Sequence, residues 1–260
     1  MKRDSVRQLV TIIGVAATIV INALANILPI NGLQTGQISD RFAIYFVPAG
    51  YVFAIWGLIY LGLIAYAIFQ ALPAQRENGR LRSIGGLFAL ASLANIVWIF
   101  LWHYEQFPLT LPVMLILLAA LIGIYLRLGT GRTRVTAAET WAVRVPFSIY
   151  LGWITVATIA NASQLLFFLG WNGFGIAPAT WTVIMLAAAV IVAALMALTR
   201  RDVAYLPVLV WALIGIALKH AATPTVSLAA WVATGIVVLL LGWSALRPLR
   251  LPATAGVTLR

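Results

Sequence analysis

The chain has 260 residues, of which 63% are hydrophobic and only 9% are charged, whereas soluble domains are about half apolar and a quarter charged. That balance excludes a soluble globular fold, because a chain of this length cannot enclose so much apolar surface by itself. Cysteine is absent, which excludes disulfides, thiolate catalysis and Cys-ligated metals. The net charge of +11 lies in small groups between apolar runs, which indicates a lipid bilayer as partner and argues against nucleic acid.

Eight apolar stretches follow one another along the chain and predict an all-α membrane protein with eight transmembrane helices. Most approach the roughly 20 residues that a helix needs to cross the hydrocarbon core. None alternates polar and apolar residues as barrel strands do. The seventh is short and ends at Lys219. The stretches are residues 9–30, 51–72, 84–102, 110–126, 145–169, 181–198, 203–218 and 226–246.

Positive charge alternates between the two sides of these spans. One set of alternate connections and tails holds fifteen Lys and Arg residues, and the other holds two, Arg41 and Lys219. Because Lys and Arg concentrate in cytoplasmic connections, we expect a multi-pass protein of the cytoplasmic membrane with both termini in the cytoplasm. The alternative at the N-terminus is a cleaved signal peptide that ends near residues 23–25, which would leave seven spans.

The residue types that usually carry catalysis lie outside the predicted spans. All six acidic residues fall in connections or tails, which argues against a proton-coupled pump, because such pumps place carboxylates inside the membrane. Phosphate-binding Gly loops are missing. We therefore predict neither catalytic residues nor a metal site, and a binding protein is favoured over an enzyme. The acidic residues are Asp4, Asp40, Glu77, Glu105, Glu139 and Asp202.

Three ionisable residues mark the predicted outer ends of spans. Lys219 is expected to snorkel to the interface, since a buried Schiff base would need a counter-ion that no span provides. His103 and His220 follow the third and seventh spans. Two alternatives stay open for them, hydrogen bonding at the interface or joint ligation of a haem iron.

Asparagine and tryptophan are the polar and aromatic markers inside the apolar runs. Each span asparagine should face another helix, because an amide in hydrocarbon needs a partner; these are Asn22, Asn26, Asn95 and Asn161. Five tryptophans near span ends predict an interfacial belt: Trp102, Trp141, Trp171, Trp181 and Trp243. Five inside spans either face lipid or line a pocket for a flat ligand: Trp56, Trp98, Trp153, Trp211 and Trp231.

Three segments carry a family resemblance. Residues 48–60, Pro-Ala-Gly-Tyr-Val-Phe-Ala-Ile-Trp-Gly-Leu-Ile-Tyr, resemble the second-helix motif Pro-Pro-Gly-Trp-x-Phe-x-x-x-Trp-x-x-Leu-Tyr of the TspO/MBR family, the tryptophan-rich sensory proteins that include the translocator protein. Residues 93–98, Leu-Ala-Asn-Ile-Val-Trp, are similar to its third-helix Leu-Asn-x-x-Trp. Residues 150–161, Tyr-Leu-Gly-Trp-Ile-Thr-Val-Ala-Thr-Ile-Ala-Asn, resemble its fifth-helix Tyr-Leu-Ala-Trp-x-x-x-Ala-Thr-x-x-Asn. The resemblance covers the first five spans, residues 9–169.

This resemblance implies a five-helix bundle, often dimeric, whose outer first loop covers a pocket for porphyrins and, in animals, cholesterol. Carried over by motif, Trp56 and Trp153 would offer ring faces to the ligand. The other implied ligand-binding residues are Tyr60, Asn95, Trp98, Ala157 and Asn161. The chain departs from the family in three ways: loop 31–50 has no tryptophan, the proline before the fifth-helix motif is displaced to Pro146, and the cholesterol-recognition pattern is missing.

We therefore expect a TspO-like five-helix domain over residues 1–169, three further transmembrane helices over 170–246 and a cytoplasmic tail over 247–260. The predicted function is a membrane binding or sensory protein for a small, flat, apolar ligand. A tetrapyrrole is the expected bound group, and loop 31–50 would gate its entry. A transporter and a porphyrin-modifying enzyme are the alternatives. A homodimer through small residues, Gly85 with Ala89 or Ala189 with Ala193, is left open.

Overall fold

A computed structural model describes residues 2–28 and 30–246 of the chain, so the predicted tail at 247–260 lies outside the described residues. The described part is helical and contains no strand. A three-residue turn, Ala137–Glu139, and a π-helical turn, Thr140–Arg144, lead into the sixth helix. The helices of six residues or more are α1 Lys2–Ile27, α2 Thr35–Asp40, α3 Ile55–Ala71, α4 Gly79–His103, α5 Phe107–Arg127, α6 Val145–Phe168, α7 Pro178–Arg200, α8 Leu206–Lys219 and α9 Pro224–Leu246.

The predicted all-α membrane architecture is confirmed, with one difference in the length of a span. Seven helices in the described residues, counted with their leading turns, are long and apolar enough to cross a membrane. The seventh predicted span corresponds to α8, which has 14 residues and is therefore about 21 Å long, against about 30 Å of hydrocarbon. Eight of those 14 residues are buried, so protein rather than lipid covers most of this helix.

Proline and capping side chains set several of the helix starts. Pro178, Pro207 and Pro224 lie in first turns, where the N–H that proline lacks would have no partner in the helix. The Asn78 side chain accepts a hydrogen bond from the backbone N–H two residues later at 3.0 Å and so caps α4. Asp202, just before α8, accepts from the backbone N–H two residues later at 2.9 Å.

The long helices form two bundles that meet at α8. In the first bundle α4 packs between α1 and α5, α5 packs on α6, and α3 contacts α1 and α6. Gly62 allows the α3–α6 approach, because a Cβ there would lie 2.9 Å from the Pro146 side chain, the displaced proline of the sequence. In the second bundle α9 packs on α7 and α8, and α8 also touches α6 and the 3₁₀ turn Gly50–Ala54. The division into domains at residue 169 remains a prediction.

Ion pairs at the two ends of the molecule agree with the prediction that successive connections lie on opposite sides of the membrane. Each pair joins two connections or helix ends that the charge pattern assigns to the same side of the membrane. On the predicted cytoplasmic side they are Asp4–Arg82 and Arg80–Glu139, both at 2.7 Å, and the longer Arg82–Glu77 contact at 3.8 Å. On the predicted outer side they are Asp40–Lys219 at 2.6 Å and Arg41–Glu105 at 2.8 Å. Which side faces the cytoplasm remains a prediction from charge.

The small residues considered for a homodimer are largely used within the chain. A Cβ on Gly85 would lie 2.9 Å from the Arg7 side chain, so this glycine serves the contact between α4 and α1. Ala189 and Ala193 are buried, at 2% and 0% exposure. The pattern that suggested a dimer is therefore accounted for by helix packing inside one copy.

Candidate ligand cavity

A cavity of about 550 Å³ lies among α1, α3, α4, α5 and α6, beneath residues 31–50, which we call the lid. Its volume is in the range of about 300–1,000 Å³ found for small-molecule sites. Six of the seven predicted ligand residues line it: Trp56, Tyr60, Asn95, Trp98, Trp153 and Ala157. The lid contributes Gln34, Thr35, Gly36, Gln37, Asp40 and Gly50.

Aromatic rings from α3, its leading turn and α6 form one wall of the cavity. Trp56 stacks on Tyr60, one helical turn further on, with ring centroids 5.5 Å apart and planes 28° apart. Trp153 meets Trp56 edge-on at 6.4 Å and Phe53 edge-on at 5.6 Å. Trp153 is 3% exposed, so its neighbours fix its ring. Such a wall offers large apolar ring surfaces to a flat ligand.

A chain of buried hydrogen bonds joins three helices beside this wall. The amide of Asn22 in α1 donates to the Asn95 side-chain oxygen in α4 at 2.7 Å. Asn95 in turn donates to the Tyr150 hydroxyl of α6 at 3.0 Å. All three side chains are buried, and a buried amide that loses its partner costs about 1–3 kcal/mol. The chain therefore holds α1, α4 and α6 in fixed register around the cavity.

Asn161, the seventh predicted residue, lies beside the cavity rather than in its wall. It lines an adjoining space of about 60 Å³. Its side-chain oxygen accepts from the Trp98 indole N–H at 3.0 Å, and its amide donates to the Thr110 hydroxyl at 2.8 Å. Asn161 therefore positions Trp98. Asn22, Asn95 and Asn161 all face another helix as predicted, whereas the Asn26 amide donates to a carbonyl of its own helix, at 2.9 Å.

The lid is tied to the end of α4 through His103. The ring Nδ1 lies 3.0 Å from the carbonyl of Ile30, just before the lid, and Nε2 lies 3.0 Å from the Thr35 hydroxyl. A neutral ring that donates from Nδ1 and accepts at Nε2 satisfies both contacts. Asn31 donates to the His103 carbonyl at 3.0 Å, and the Trp102 indole donates to the Thr35 carbonyl at 3.2 Å.

Both histidines are engaged in contacts other than metal ligation. Each ring nitrogen of His103 has a hydrogen-bonding partner. His220 packs edge-on against the Tyr45 ring at 5.2 Å, and burial lowers its pKa. Within residues 2–28 and 30–246, no group of three His, Cys, Asp or Glu side chains is arranged to hold a metal ion. For His103 the structure therefore favours hydrogen bonding over metal ligation, whereas the Nε2 of His220 is buried without a hydrogen-bonding partner.

Trp102 is not part of an interfacial belt, contrary to the prediction. It is 2% exposed, because the lid folds over this end of α4. Its ring stacks on Trp98 with centroids 5.1 Å apart and planes 16° apart. It also contacts Phe107 at 5.4 Å and Phe42 of the lid at 6.3 Å. The lid has no tryptophan of its own, but Trp98 and Trp102 of α4 lie beneath it. Trp141, by contrast, is 71% exposed, as a belt residue should be.

Lys219 holds the lid instead of only extending to the interface. Its ammonium group donates to the Asp40 carboxylate at 2.6 Å, and the lysine side chain is 26% exposed. Asp40 is the last residue of α2 and also lines the cavity. The pair therefore connects the rim of the cavity to the end of α8.

Backbone contacts join the base of the lid to α8 more closely. The Ala49 N–H donates to the Gly215 carbonyl at 3.2 Å. The Trp211 indole donates to the Val52 carbonyl at 3.0 Å. A side chain on Gly215 would overlap that of Val52 and come within 3.0 Å of Pro48. Only glycine lets α8 approach this closely.

The helix inside the lid was missed in the sequence analysis, although the sequence carries a signal for it. Gln34 and Gln37 form a reciprocal cap, in which the Gln34 backbone N–H donates to the Gln37 side chain at 2.8 Å. In a capping box, the two residues whose side chains cap the helix start are three positions apart, and Gln34 and Gln37 have this spacing. This cap starts α2 and thereby brings Thr35, Gln37 and Asp40 over the cavity.

These features define a multi-pass membrane protein with a lidded cavity suited to a small ligand. The family comparison is more specific, because the model for TSPO-like proteins matches residues 8–243. The chain therefore belongs to the TSPO-like family, whose members include membrane sensory and binding proteins. The match reaches into α9, so it is not confined to the first five spans as the motifs alone suggested. No curated protein and no solved structure matches the chain.

Proposed function

We propose that this protein reversibly binds a flat apolar ligand of the tetrapyrrole class in the cavity beneath the lid. The observation that carries the proposal is the convergence of Trp56, Tyr60, Asn95, Trp98, Trp153 and Ala157, chosen from sequence motifs, on one cavity. In this mechanism Trp153 and Trp56 stack on the ring, and the amide chain from Asn22 to Tyr150 keeps the walls apart.

The lid would control entry from the predicted outer side. It contacts α4 through His103 and α8 through Lys219, and its Ile38 and Phe46 side chains are buried, so opening would break these polar contacts and expose apolar side chains. A ligand that stays under a closed lid gives the protein two states, bound and free, which is what a sensor requires. In this proposal the protein resides in the cytoplasmic membrane with its termini in the cytoplasm.

Binding is tested with porphyrins in nanodiscs of zwitterionic lipid. We expect the absorption band of protoporphyrin IX, or of its dimethyl ester, to shift on binding. Trp56→Leu and Trp153→Leu should each weaken binding about ten- to a hundredfold. The reason is that an indole contributes about 2 kcal/mol of binding free energy through its buried area and about 0.5–1.5 kcal/mol through stacking. Trp141→Leu and Trp243→Leu are the matched controls and should bind normally. Equal affinity in all four variants would place the ligand elsewhere or exclude it.

Orientation has its own test, because the chain contains no cysteine. Single cysteines at Tyr104 and Ala222 should react with an impermeant maleimide added outside intact cells. A cysteine at Arg134 should react only after permeabilisation. The reverse pattern would contradict the proposed topology. Transport is distinguished from sensing by porphyrin uptake into sealed proteoliposomes, which a binding protein would not support.

A further inference from the structure

We propose that the cavity selects neutral flat ligands and discriminates against those with free carboxylates. This inference rests on the proposed function and adds the charge class of the ligand. Its first support is the lining: among the described residues that form the cavity wall, none is Lys, Arg or His. The one charged lining residue is a carboxylate, Asp40, which offers a ligand anion no favourable charge.

The cations at the lid end of the molecule are already paired. Arg41 bonds Glu105 at 2.8 Å and Lys219 bonds Asp40 at 2.6 Å. These are the two Lys or Arg residues that the sequence places on the predicted outer side. Each pair has a net charge of zero. A ligand carboxylate at the rim would therefore have to share a cation whose charge is already balanced by a protein carboxylate.

The two histidines do not supply the missing charge. His103 meets the Ile30 carbonyl and the Thr35 hydroxyl, which a neutral ring satisfies. His220 packs on Tyr45, and its burial and the neighbouring Lys219 both disfavour the imidazolium form. Neither imidazole is among the side chains that line the cavity.

The polar groups that do line the cavity suit neutral substituents. They are amides and hydroxyls, from Asn22, Asn26, Gln34, Gln37, Asn95, Thr35 and Tyr60. Such groups exchange hydrogen bonds with esters, amides and hydroxyls. They do not offset the several kcal/mol that an ion loses when it leaves water without a counter-ion. A neutral ring with esterified, amidated or hydroxylated side chains is the ligand that this lining accommodates.

Two porphyrins with the same ring test the inference. We would measure protoporphyrin IX, a dicarboxylate, against its neutral dimethyl ester at pH 7.5 in zwitterionic nanodiscs. Binding to the cavity is the part of the signal that Trp153→Leu removes, which corrects for partition into lipid. The ester should bind at least about tenfold more tightly than the acid.

A charge introduced at the lid should reduce the preference for the ester. Gln37 is exposed on the lid and lines the cavity, so Gln37→Lys adds a cation with little packing cost. We expect the acid to bind about fivefold more tightly to Gln37→Lys than to Gln37→Met, the matched control that also loses the helix cap. The ester should not distinguish the two variants.

The outcomes separate the inference from the function on which it rests. Trp153-dependent binding of the acid that equals or exceeds that of the ester would overturn the charge selectivity and leave tetrapyrrole binding in place. An unchanged acid affinity in Gln37→Lys would also count against it. Absence of Trp153-dependent binding for both porphyrins would overturn both proposals.

Discussion

The two helix bundles of this protein hold together in lipid by different means. The first five long helices are joined by side-chain hydrogen bonds between helices, as in the chain Asn22–Asn95–Tyr150. In α7 and α9, most of the hydroxyls bond to their own helix instead, as Thr234 does to the carbonyl four residues earlier at 2.8 Å. Ser227 of α9 differs, since it donates to the Ala217 carbonyl of α8 at 3.0 Å. Small residues such as Ala193 and Ala230, both 0% exposed, bring these helices close together.

This contrast explains why the cavity lies in the first bundle. Small residues let helices approach until little space remains between them, whereas asparagine and tyrosine side chains hold helices at the distance that their hydrogen bonds require. The first bundle can therefore enclose 550 Å³ without collapsing. The second bundle acts as a support that reaches the lid through Gly215 and Lys219.

The largest expected effect comes from removing the centre of the amide chain. Asn95→Leu deletes both interhelical hydrogen bonds and leaves the Asn22 amide without its partner in α4. We expect the free energy of unfolding in detergent to fall by about 1–3 kcal/mol, together with loss of porphyrin binding. The matched change in the second bundle, Thr234→Val, should cost less than about 0.5 kcal/mol and leave binding unchanged. Similar losses in the two variants would contradict the contrast.

The second largest effect should come from a new side chain that wedges the two bundles apart. Gly215→Val forces the new side chain into Val52 and Pro48, so we expect destabilisation of about 1–3 kcal/mol and ligand dissociation about tenfold faster. Gly235→Val in α9 is the control, because a Cβ there meets nothing within 4 Å. Dissociation is measured by transfer of bound porphyrin to an excess of acceptor protein. If Gly215→Val lowers stability without changing dissociation, α8 does not support the lid.

Removal of the ion pair at the rim of the cavity should have a smaller effect on ligand dissociation. Lys219→Met removes the bond to Asp40 but keeps an apolar side chain of similar length. Because a partly exposed pair is worth about 0–1 kcal/mol, we expect dissociation about two- to fivefold faster and an unchanged unfolding temperature. Arg134→Met, an exposed position at the opposite end, serves as the control. An effect as large as that of Gly215→Val would mean that the pair, not the backbone contact, holds the lid.

The sequence predicts the helices for a local physical reason, and the family resemblance marks residues that the structure brings to one cavity. Continuous apolar runs must become helices in lipid, and three short motifs place their aromatic and amide residues at matching depths on neighbouring helices. Trp56, Asn95 and Trp153 could therefore be assigned to one cavity before any coordinates. The length of α8 is the exception, because periodicity does not show that turns occupy the first residues of the seventh stretch.

The lid contacts could not be predicted in the same way. His103 meets Thr35 across 68 residues of chain, and Lys219 meets Asp40 across 179. A polar loop without periodicity gives no information about which helix end it covers. For that reason Trp102 was assigned to the interface and Lys219 to snorkelling, although both lie at the lid.

The smallest expected effect concerns the second ion pair of the lid, which responds to acid. The hydrogen bond from Arg41 holds the pKa of Glu105 below its usual value of 4.5, against a smaller opposing effect of burial. A carboxyl whose pKa is lowered by folding stabilises the closed lid at any pH above its usual value. That stabilisation disappears as the pH falls through the lowered value.

A nitroxide attached to a single cysteine at Gln37 reports this change as lid mobility. Because the side chains of Arg41 and Glu105 are 45% and 41% exposed, solvent screens the pair, and we expect the mobile fraction to rise less than about twofold between pH 5 and pH 3. In Glu105→Gln the mobile fraction should already be raised at pH 5 and should change less over the same interval. All other side chains of the lid are the same in both proteins, so the difference between the two curves isolates Glu105. Parallel curves would show that this pair does not contribute to closure and that the other contacts of the lid hold it closed.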